Sequence, residues 1–280
     1  MTNKWLKVAL MVTAIATGTS IKIDAETVLY VPQDDRPVSL QYTVDTAREA
    51  GMTVLTPPQH LISGKTYQGQ ADQIMAWVEQ NAGRADVMVL STDTLIYGGL
   101  VDSRKHNIPL STLQNRLKRI EGLKARNKNV RIYGFGTVMR SPRASGGGTE
   151  PAYYAEYGPT IFQIAALQDK LDSGSLTQEE TQKLMSLQAS VPVEYLQDWF
   201  DRRQKNMKIN KELIDETRSG VFDYFALGHD DTSQLSQSAL EGRYLNKYSK
   251  DISVEKYGSF PGADQLGLLL MARSRTDVST

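Results

Sequence analysis

Short apolar runs recur along the chain, and longer amphipathic stretches separate them. The runs are rich in aliphatic and β-branched residues without strict alternation, which is typical of strands that are covered on both faces. The alternation of such runs with helical stretches predicts an α/β fold, with a parallel sheet and flanking helices. The predicted strands cover residues 27–32, 53–57, 86–91, 130–136 and 222–228. The predicted helices cover residues 38–50, 68–82, 110–127 and much of 151–218.

The last part of the chain bears on whether this sheet is closed. The segment "SFPGADQLGLLLMARSRTDVST" predicts an apolar helix from about Ala263 to Arg275. A sixth strand at about 252–257 would complete six strand–helix units, whereas a closed (β/α) barrel has eight. We therefore expect a barrel-like sheet or a partial (β/α) barrel, with an open doubly wound sheet as the alternative.

The region between the fourth and fifth strands is longer than a simple crossover requires. Residues 151–218 predict three helices, with Gly174 and Gly220 as helix ends. We expect a helical insertion that covers one rim of the sheet. The mature chain, residues 26–280, is predicted to be a single α/β domain that carries this insertion.

The first 25 residues have the layout of a signal peptide. The basic start "MTNKWLK" precedes an apolar stretch that is short for a membrane span, and cleavage is predicted after Ala25. A membrane anchor or a first buried helix is the alternative. We expect the mature protein to be secreted or to lie in the cell envelope, without stable membrane insertion.

Charge and cysteine content exclude several function classes. The 32 basic residues equal the 32 acidic residues, so no net field attracts nucleic acid. The absence of cysteine excludes disulfides, thiolate nucleophiles and Cys-ligated zinc. None of the three histidines has the i, i+4 partner of a helical zinc motif. Carboxylates and arginines therefore remain as the candidates for chemistry.

Polar residues cluster directly after the predicted strands, where parallel α/β folds collect functional groups. Each one alone is explained by a helix cap, a turn or an ion pair. Together they favour a site, because like charges gather only where a cation, a proton or a ligand compensates them. The candidates for catalysis are Asp35, Asp93, Asp230 and Asp231. The candidates for substrate binding are Asp34, Arg36, Tyr97, Arg104, Arg140, Arg143, His229 and Asp264.

Two kinds of hydrolysis suit such a set of acids, and we expect the carboxyls of Asp35, Asp93 and Asp230 or Asp231 to converge in one pocket. The leading hypothesis is a hydrolase that acts on a glycan, with one carboxyl as acid and another as base or nucleophile, and without a cofactor. The second hypothesis is a hydrolase of a phosphoester or amide that uses a divalent metal such as Mg²⁺, Mn²⁺ or Ca²⁺. The third is a carbohydrate-binding or surface protein without catalysis.

Five segments resemble a known family and together cover about residues 28 to 273. They are "VLYVPQDDRPVSL", "STDTLIYGGLVDSR", "GTVMRSPR", "GHDDTSQLSQ" and "PGADQLGLLLMAR". The sequence is similar to the bacterial domain of unknown function 4127 family. This resemblance implies no activity. Members of the family are usually much longer chains, which implies that this chain is a truncated or split version.

One short segment is also similar to the substrate-assisted hexosaminidases. In "FDYFALGHDDT", an apolar strand ends in two consecutive aspartates. The resemblance implies that Asp230 orients the acetamido group of the substrate and that Asp231 is the general acid. A likeness of this kind does not establish function.

Overall fold

The computed structural model describes residues 25–145, 147–230 and 233–277. It confirms the α/β fold class, because six parallel strands form one sheet with helices around it. Residues 1–24 of the predicted signal peptide, and the predicted general acid Asp231, lie outside the described residues. The strands are β1 (Thr27–Val31), β2 (Thr53–Leu55), β3 (Val87–Ser91), β4 (Arg131–Val138), β5 (Tyr224–His229) and β6 (Tyr257–Pro261).

Ten α-helices lie in the described part of the chain, together with short 3₁₀ turns. Within that same part, no helix combines the length and the apolar composition that crossing a bilayer requires. The helices that precede the insertion are α1 (Gln41–Glu49), α2 (Ala71–Asn81), α3 (Thr92–Tyr97), α4 (Leu100–Ser103) and α5 (Leu110–Arg126). The others are α6 (Tyr154–Asp172), α7 (Gln178–Ala189), α8 (Val193–Ser219), α9 (Gln237–Tyr248) and α10 (Leu266–Thr276).

The order of the strands shows that the sheet is open. The order is β2-β1-β3-β4-β5-β6, so β2 and β6 form the two edges within the described residues. A (β/α) barrel would close instead of leaving two edges. The protein therefore follows the doubly wound alternative rather than the barrel-like arrangement. Strand β1 pairs with both β2 and β3, and the direction of winding reverses between β1 and β3.

Some predicted boundaries differ from those in the structure. The sixth strand begins at Tyr257, at the end of the predicted range 252–257. Most of that range forms a turn instead, because the backbone N–H groups of Lys256 and Tyr257 donate to the carbonyl of Ser253. The short helices α3 and α4 follow β3 where the sequence pattern predicts no helix, and α9 lies in another stretch without a predicted element.

The central strands are apolar throughout because both faces of the sheet are covered. In β3, Met88 and Leu90 belong to one core, whereas Val87 and Val89 belong to the other, and all four are fully buried. Helices α2, α5, α8 and α9 contribute to the first core, and α1 and α10 contribute to the second. This division is the one that right-handed crossovers give, since winding in opposite directions from the reversal point puts the crossover helices on opposite faces.

The helical insertion has an apolar core of its own and is continuous with the sheet. Trp199 is fully buried there against Tyr154, with the ring centroids 4.5 Å apart. Met139, directly after β4, lies in the same core. Helix α8 extends from this core into the main one, where Ile209 and Leu213 pack against the sheet. The insertion therefore packs beside the carboxyl end of β4.

The loops that follow β1, β2 and β3 touch one another through a glycine. The backbone N–H of Leu100 donates to the carbonyl of Gln33 at 3.1 Å, and that of Asp35 donates to the carbonyl of Ser63 at 2.9 Å. A Cβ atom on Gly99 would lie 1.8 Å from the hydroxyl of Ser63. Only glycine fits at this position, and the three loops are held at one edge of the sheet.

The replacement Gly99→Ala tests this close approach. We expect the free energy of unfolding to fall by about 1–3 kcal/mol or more, because the added methyl group forces the loops apart. Urea denaturation measures the change. The matched control is Gly83→Ala, since a Cβ atom at Gly83 meets nothing within 4 Å. Equal stability of the two variants would show that the loops do not depend on this contact.

Candidate functional site

Arg36 joins the loop after β1 to the loop after β6. Its Nε donates to Asp34 at 2.8 Å, and its two terminal nitrogens donate to both carboxylate oxygens of Asp264, at 2.7 and 3.3 Å. Gln33 also donates to Asp264, at 3.3 Å. Partial burial opposes the charge of Arg36, but the hydrogen bonds to Asp34 and Asp264 outweigh it and raise the pKa of the guanidinium. The motif "QDDR" thus fixes the position of an acid that lies on a distant loop.

A second arginine–aspartate pair joins the segment after β3 to the end of β5. Arg104, only 4% exposed, donates to Asp230, the residue that directly follows β5. Burial lowers the pKa of Arg104, and the neighbouring charge of Arg140 lowers it further, whereas Asp230 acts in the opposite direction. Residues on each side of β4 therefore form one ion pair at the edge of the sheet.

Asp93 is a buried acid beside this ion pair. It lies in the first turn of α3, where Ser91 caps the helix by accepting from the backbone N–H of Thr94 at 3.3 Å. The hydroxyl of Thr137 donates to Asp93 at 2.8 Å. Burial raises the pKa of Asp93 from its ordinary value of 3.8 to about 7, and this effect outweighs the hydrogen bonds from Thr137 and the positive charge of Arg104.

Arg140 follows β4 and is held from two directions. Its Nε donates to Glu150 at 2.7 Å and its terminal nitrogen donates to Thr149 at 2.6 Å. Its backbone carbonyl accepts from the buried Arg203 at 2.9 Å, and Arg203 forms two parallel hydrogen bonds with Glu241. Elements of the helical insertion thus fix Arg140 at the carboxyl edge of the sheet.

These side chains surround one cavity of about 370 Å³, which we call the polar cavity. It combines six residues that the sequence predicts for the site: Asp34, Arg36, Arg104, Arg140, Asp230 and Asp264. Asp93 does not line the cavity but lies close enough to Arg104 and Asp230 for their charges to act on it. The structure therefore brings together residues from the ends of β1, β3, β4, β5 and β6.

A second cavity of about 480 Å³ adjoins the first, and we call it the apolar cavity. Asp230 and Asp264 line both cavities and so stand at their boundary. The backbone N–H of Gly262 donates to the carbonyl of His229 at 2.7 Å, which holds the loop after β6 next to the end of β5. The remaining lining residues of the apolar cavity are Phe260, Pro261, Gly262, Ala263, Gln265, Leu266 and Leu269.

Besides Asp93, four other predicted residues line neither cavity. Asp35 accepts a hydrogen bond from the hydroxyl of Tyr67. Tyr97 is buried and stacks on His106 with the ring centroids 4.9 Å apart, so its face is not open to a sugar. Arg143 is exposed and lies over the ring of Phe162. His229 bonds the hydroxyl of Ser259 at 2.7 Å, and burial lowers its pKa.

The structure adds residues that the sequence does not indicate. Lys65 lines the polar cavity from the loop after β2, and Thr149 lines it from the segment before α6. The same rule of strand ends, applied to β2, would have indicated Lys65. In the described part of the chain, no three His, Asp or Glu side chains lie close enough together to hold a metal ion.

The raised pKa of Asp93 predicts how the free energy of unfolding depends on pH. The folded protein holds this proton up to about pH 7, whereas the unfolded chain releases it near the ordinary value of 3.8. The stability contributed by the protonated form is therefore fully present below pH 3.8 and is lost as the pH rises to about 7. We expect the free energy of unfolding of the wild type, minus that of Asp93→Asn, to decline in this window by up to about 1.4 kcal/mol per pH unit.

Denaturant unfolding of both proteins at a series of pH values measures this difference, and it should level off above about pH 7, where the folded protein has also released the proton. A difference that stays constant with pH would show that folding does not raise the pKa of Asp93. The exposed variant Asp45→Asn serves as the control, because Asp45 lies on the outer face of α1.

Comparison with known proteins agrees with the segments that resemble a family. The family model described as "Protein of unknown function (DUF4127)" matches residues 28–280. None of the curated proteins compared with the chain matches it. The matched region contains β2 to β6, all of β1 except Thr27, and every residue that lines the two cavities. The chain therefore belongs to the DUF4127 family of proteins of unknown function.

Proposed function

We propose that the protein is a secreted hydrolase that cleaves a glycan by carboxylate acid/base chemistry. The observation that carries this proposal is the pair of adjoining cavities with Asp230 and Asp264 at their boundary. A glycosidic bond has a sugar or another group on each side. An enzyme that cleaves it therefore needs space on both sides of its carboxyl groups.

The size and lining of the two cavities support a sugar ligand. Their volumes of about 370 and 480 Å³ fall in the range of small-molecule sites, roughly 300–1,000 Å³. Arginine and lysine side chains line the polar cavity, whereas Phe260 and the partly exposed Leu269 line the apolar one. A sugar ring presents hydroxyl groups at its edge and C–H groups on its faces, so both kinds of lining find a partner.

The environments of the carboxyl groups differ, which permits a division of roles. Asp230 is the base or nucleophile in this proposal, because Arg104 bonds one of its oxygens and orients it at the boundary. Asp93 holds a proton near neutral pH and does not reach the cavity, so it acts by setting the charge beside Arg104.

The proton donor to the leaving group is assigned from the sequence. Asp231 follows Asp230, and the likeness to the substrate-assisted hexosaminidases gives the second aspartate this role. Only this role is carried over, since Asp230 acts in this proposal as base or nucleophile and not by orienting an acetamido group. The predicted signal peptide over residues 1–25 supports secretion. Outside the cytoplasm, cell-wall and extracellular glycans are the available substrates.

The replacement Asp230→Asn tests the proposed role. We expect kcat/KM on the best substrate among aryl-glycosides and cell-wall glycans to fall by about 10²–10⁴-fold, because the amide cannot act as base or nucleophile. Asp45→Asn is the matched control and should keep full activity, since Asp45 lies on α1 and lines neither cavity. Circular dichroism and urea unfolding check that both variants fold.

Four outcomes test these hypotheses. Full activity of Asp230→Asn would contradict its role, and no turnover of any glycan by the folded wild type would contradict the glycosidase proposal. Loss of activity in a chelator, restored by Mg²⁺, Mn²⁺ or Ca²⁺, would support the metal-dependent hydrolase instead. Saturable glycan binding without product would support the carbohydrate-binding protein.

A further inference from the structure

Arg104 has more hydrogen-bonding capacity than the described residues use. The side chain is almost fully buried, yet only one of its nitrogens donates to a described acceptor, namely Asp230. A guanidinium carries five N–H donors, and burying them without partners is costly. Each nitrogen of Arg104 either has a hydrogen-bond partner or is accessible to solvent. The residue lines the polar cavity. The unused donors therefore open into that cavity.

Two further cations face the same space. Arg140 lines the polar cavity, and its positive charge acts on Arg104. Lys65 lines it as well, is exposed, and has no hydrogen bond or ion pair with any described residue. Arg140 is paired with Glu150, Arg104 with Asp230, and Arg36 with Asp34 and Asp264. Lys65 therefore adds a positive charge that no carboxylate of the described residues pairs with, next to the unused donors of Arg104.

We propose that Lys65, Arg104 and Arg140 form a subsite for an anionic sugar residue, one whose ring carries a carboxylate. This inference rests on the proposed function and names the class of glycan that the site takes. The planar fork of an arginine matches the two oxygens of a carboxylate, and the mobile ammonium group of a lysine supplies an additional charge. The polar cavity, at about 370 Å³, has the volume for one such ring.

The position of the subsite relative to the reacting group follows from the shared residue. Asp230 accepts from Arg104 and also lines the apolar cavity, so the same arginine contacts both the proposed base and the proposed anion subsite. A bound uronic acid would therefore lie directly beside Asp230, with the next group of the glycan extending into the apolar cavity. The substrate class is then a polymer or conjugate in which the bond to be cleaved adjoins an acidic sugar.

Binding of sugar acids to the intact protein tests the inference without any need for turnover. Isothermal titration calorimetry compares glucuronate and galacturonate with glucose and galactose, so that each pair differs only in the carboxylate. We expect the acids to bind about tenfold or more tightly than the neutral sugars, the ratio that one charge-assisted hydrogen bond accounts for. The difference should shrink as salt is added, because salt screens the exposed part of the interaction.

Variants locate the binding. Lys65→Gln should weaken glucuronate binding about two- to fivefold, since the side chain is exposed and contributes one screened charge. Lys118→Gln is the matched control, because Lys118 is also exposed, lies on α5 and lines neither cavity. Arg104→Lys keeps the charge and removes the fork, and we expect about a tenfold or larger loss of binding. Unfolding curves confirm that each variant is folded.

The outcomes distinguish this inference from the proposed function. Equal affinity for acidic and neutral sugars, or equal losses in the Lys65 and Lys118 variants, would overturn the subsite. Turnover of neutral glycans without binding of uronates would overturn the subsite and leave the hydrolase standing. Binding of uronates without turnover of any glycan would leave the subsite standing and contradict the hydrolase. Tighter binding of inorganic phosphate than of glucuronate would show that the subsite prefers a phosphate group, and would overturn the assignment to a sugar carboxylate.

Discussion

The parallel direction of the strands is the constraint on which the site depends. Strands that run in the same direction must all end at one edge of the sheet, so polar residues placed after each strand come together. The reversal of the winding between β1 and β3 leaves a crevice at that edge, because the connections on its two sides lead to opposite faces. Two ion pairs then join the loops: Arg36 with Asp264, and Arg104 with Asp230.

Compensation of charge explains how several acids share so small a region. Asp34 and Asp264 share one guanidinium, Asp230 has another, and Asp93 keeps a proton instead of a cation. A buried ion pair such as Arg104–Asp230 adds little to stability, because desolvation offsets most of the attraction between the charges. The exposed pair of Arg36 with Asp264 also adds little, because solvent screens it. Their effect is positional, since an arginine with two carboxylate partners has little freedom to move. The same arrangement leaves donors of Arg104 directed to the cavity.

Particular residues show where sequence reasoning succeeded and where local structure changed the result. The motif "DDR" predicts that Arg36 pairs with a neighbouring acid, and the structure shows that pairing with Asp34 together with the distant Asp264. Tyr97 falls in the predicted segment, but helix α3 directs its ring to His106 in the interior. Lys65 is absent from the predicted set because no acid accompanies it after β2, although that strand ends at the same edge.

The sequence by itself determined the α/β class, the approximate extent of the first five strands and the placement of polar residues directly after them. These features follow from local patterns: apolar runs, helix periodicity and turn residues. Only the tertiary structure decided that the sheet is open and which of the polar residues meet. Arg104 and Asp230 are 126 positions apart and Arg36 and Asp264 are 228 apart, and such pairings follow from strand order and from the direction of the loops. No local pattern encodes them, because the free energy of each contact depends on burial that the whole fold creates.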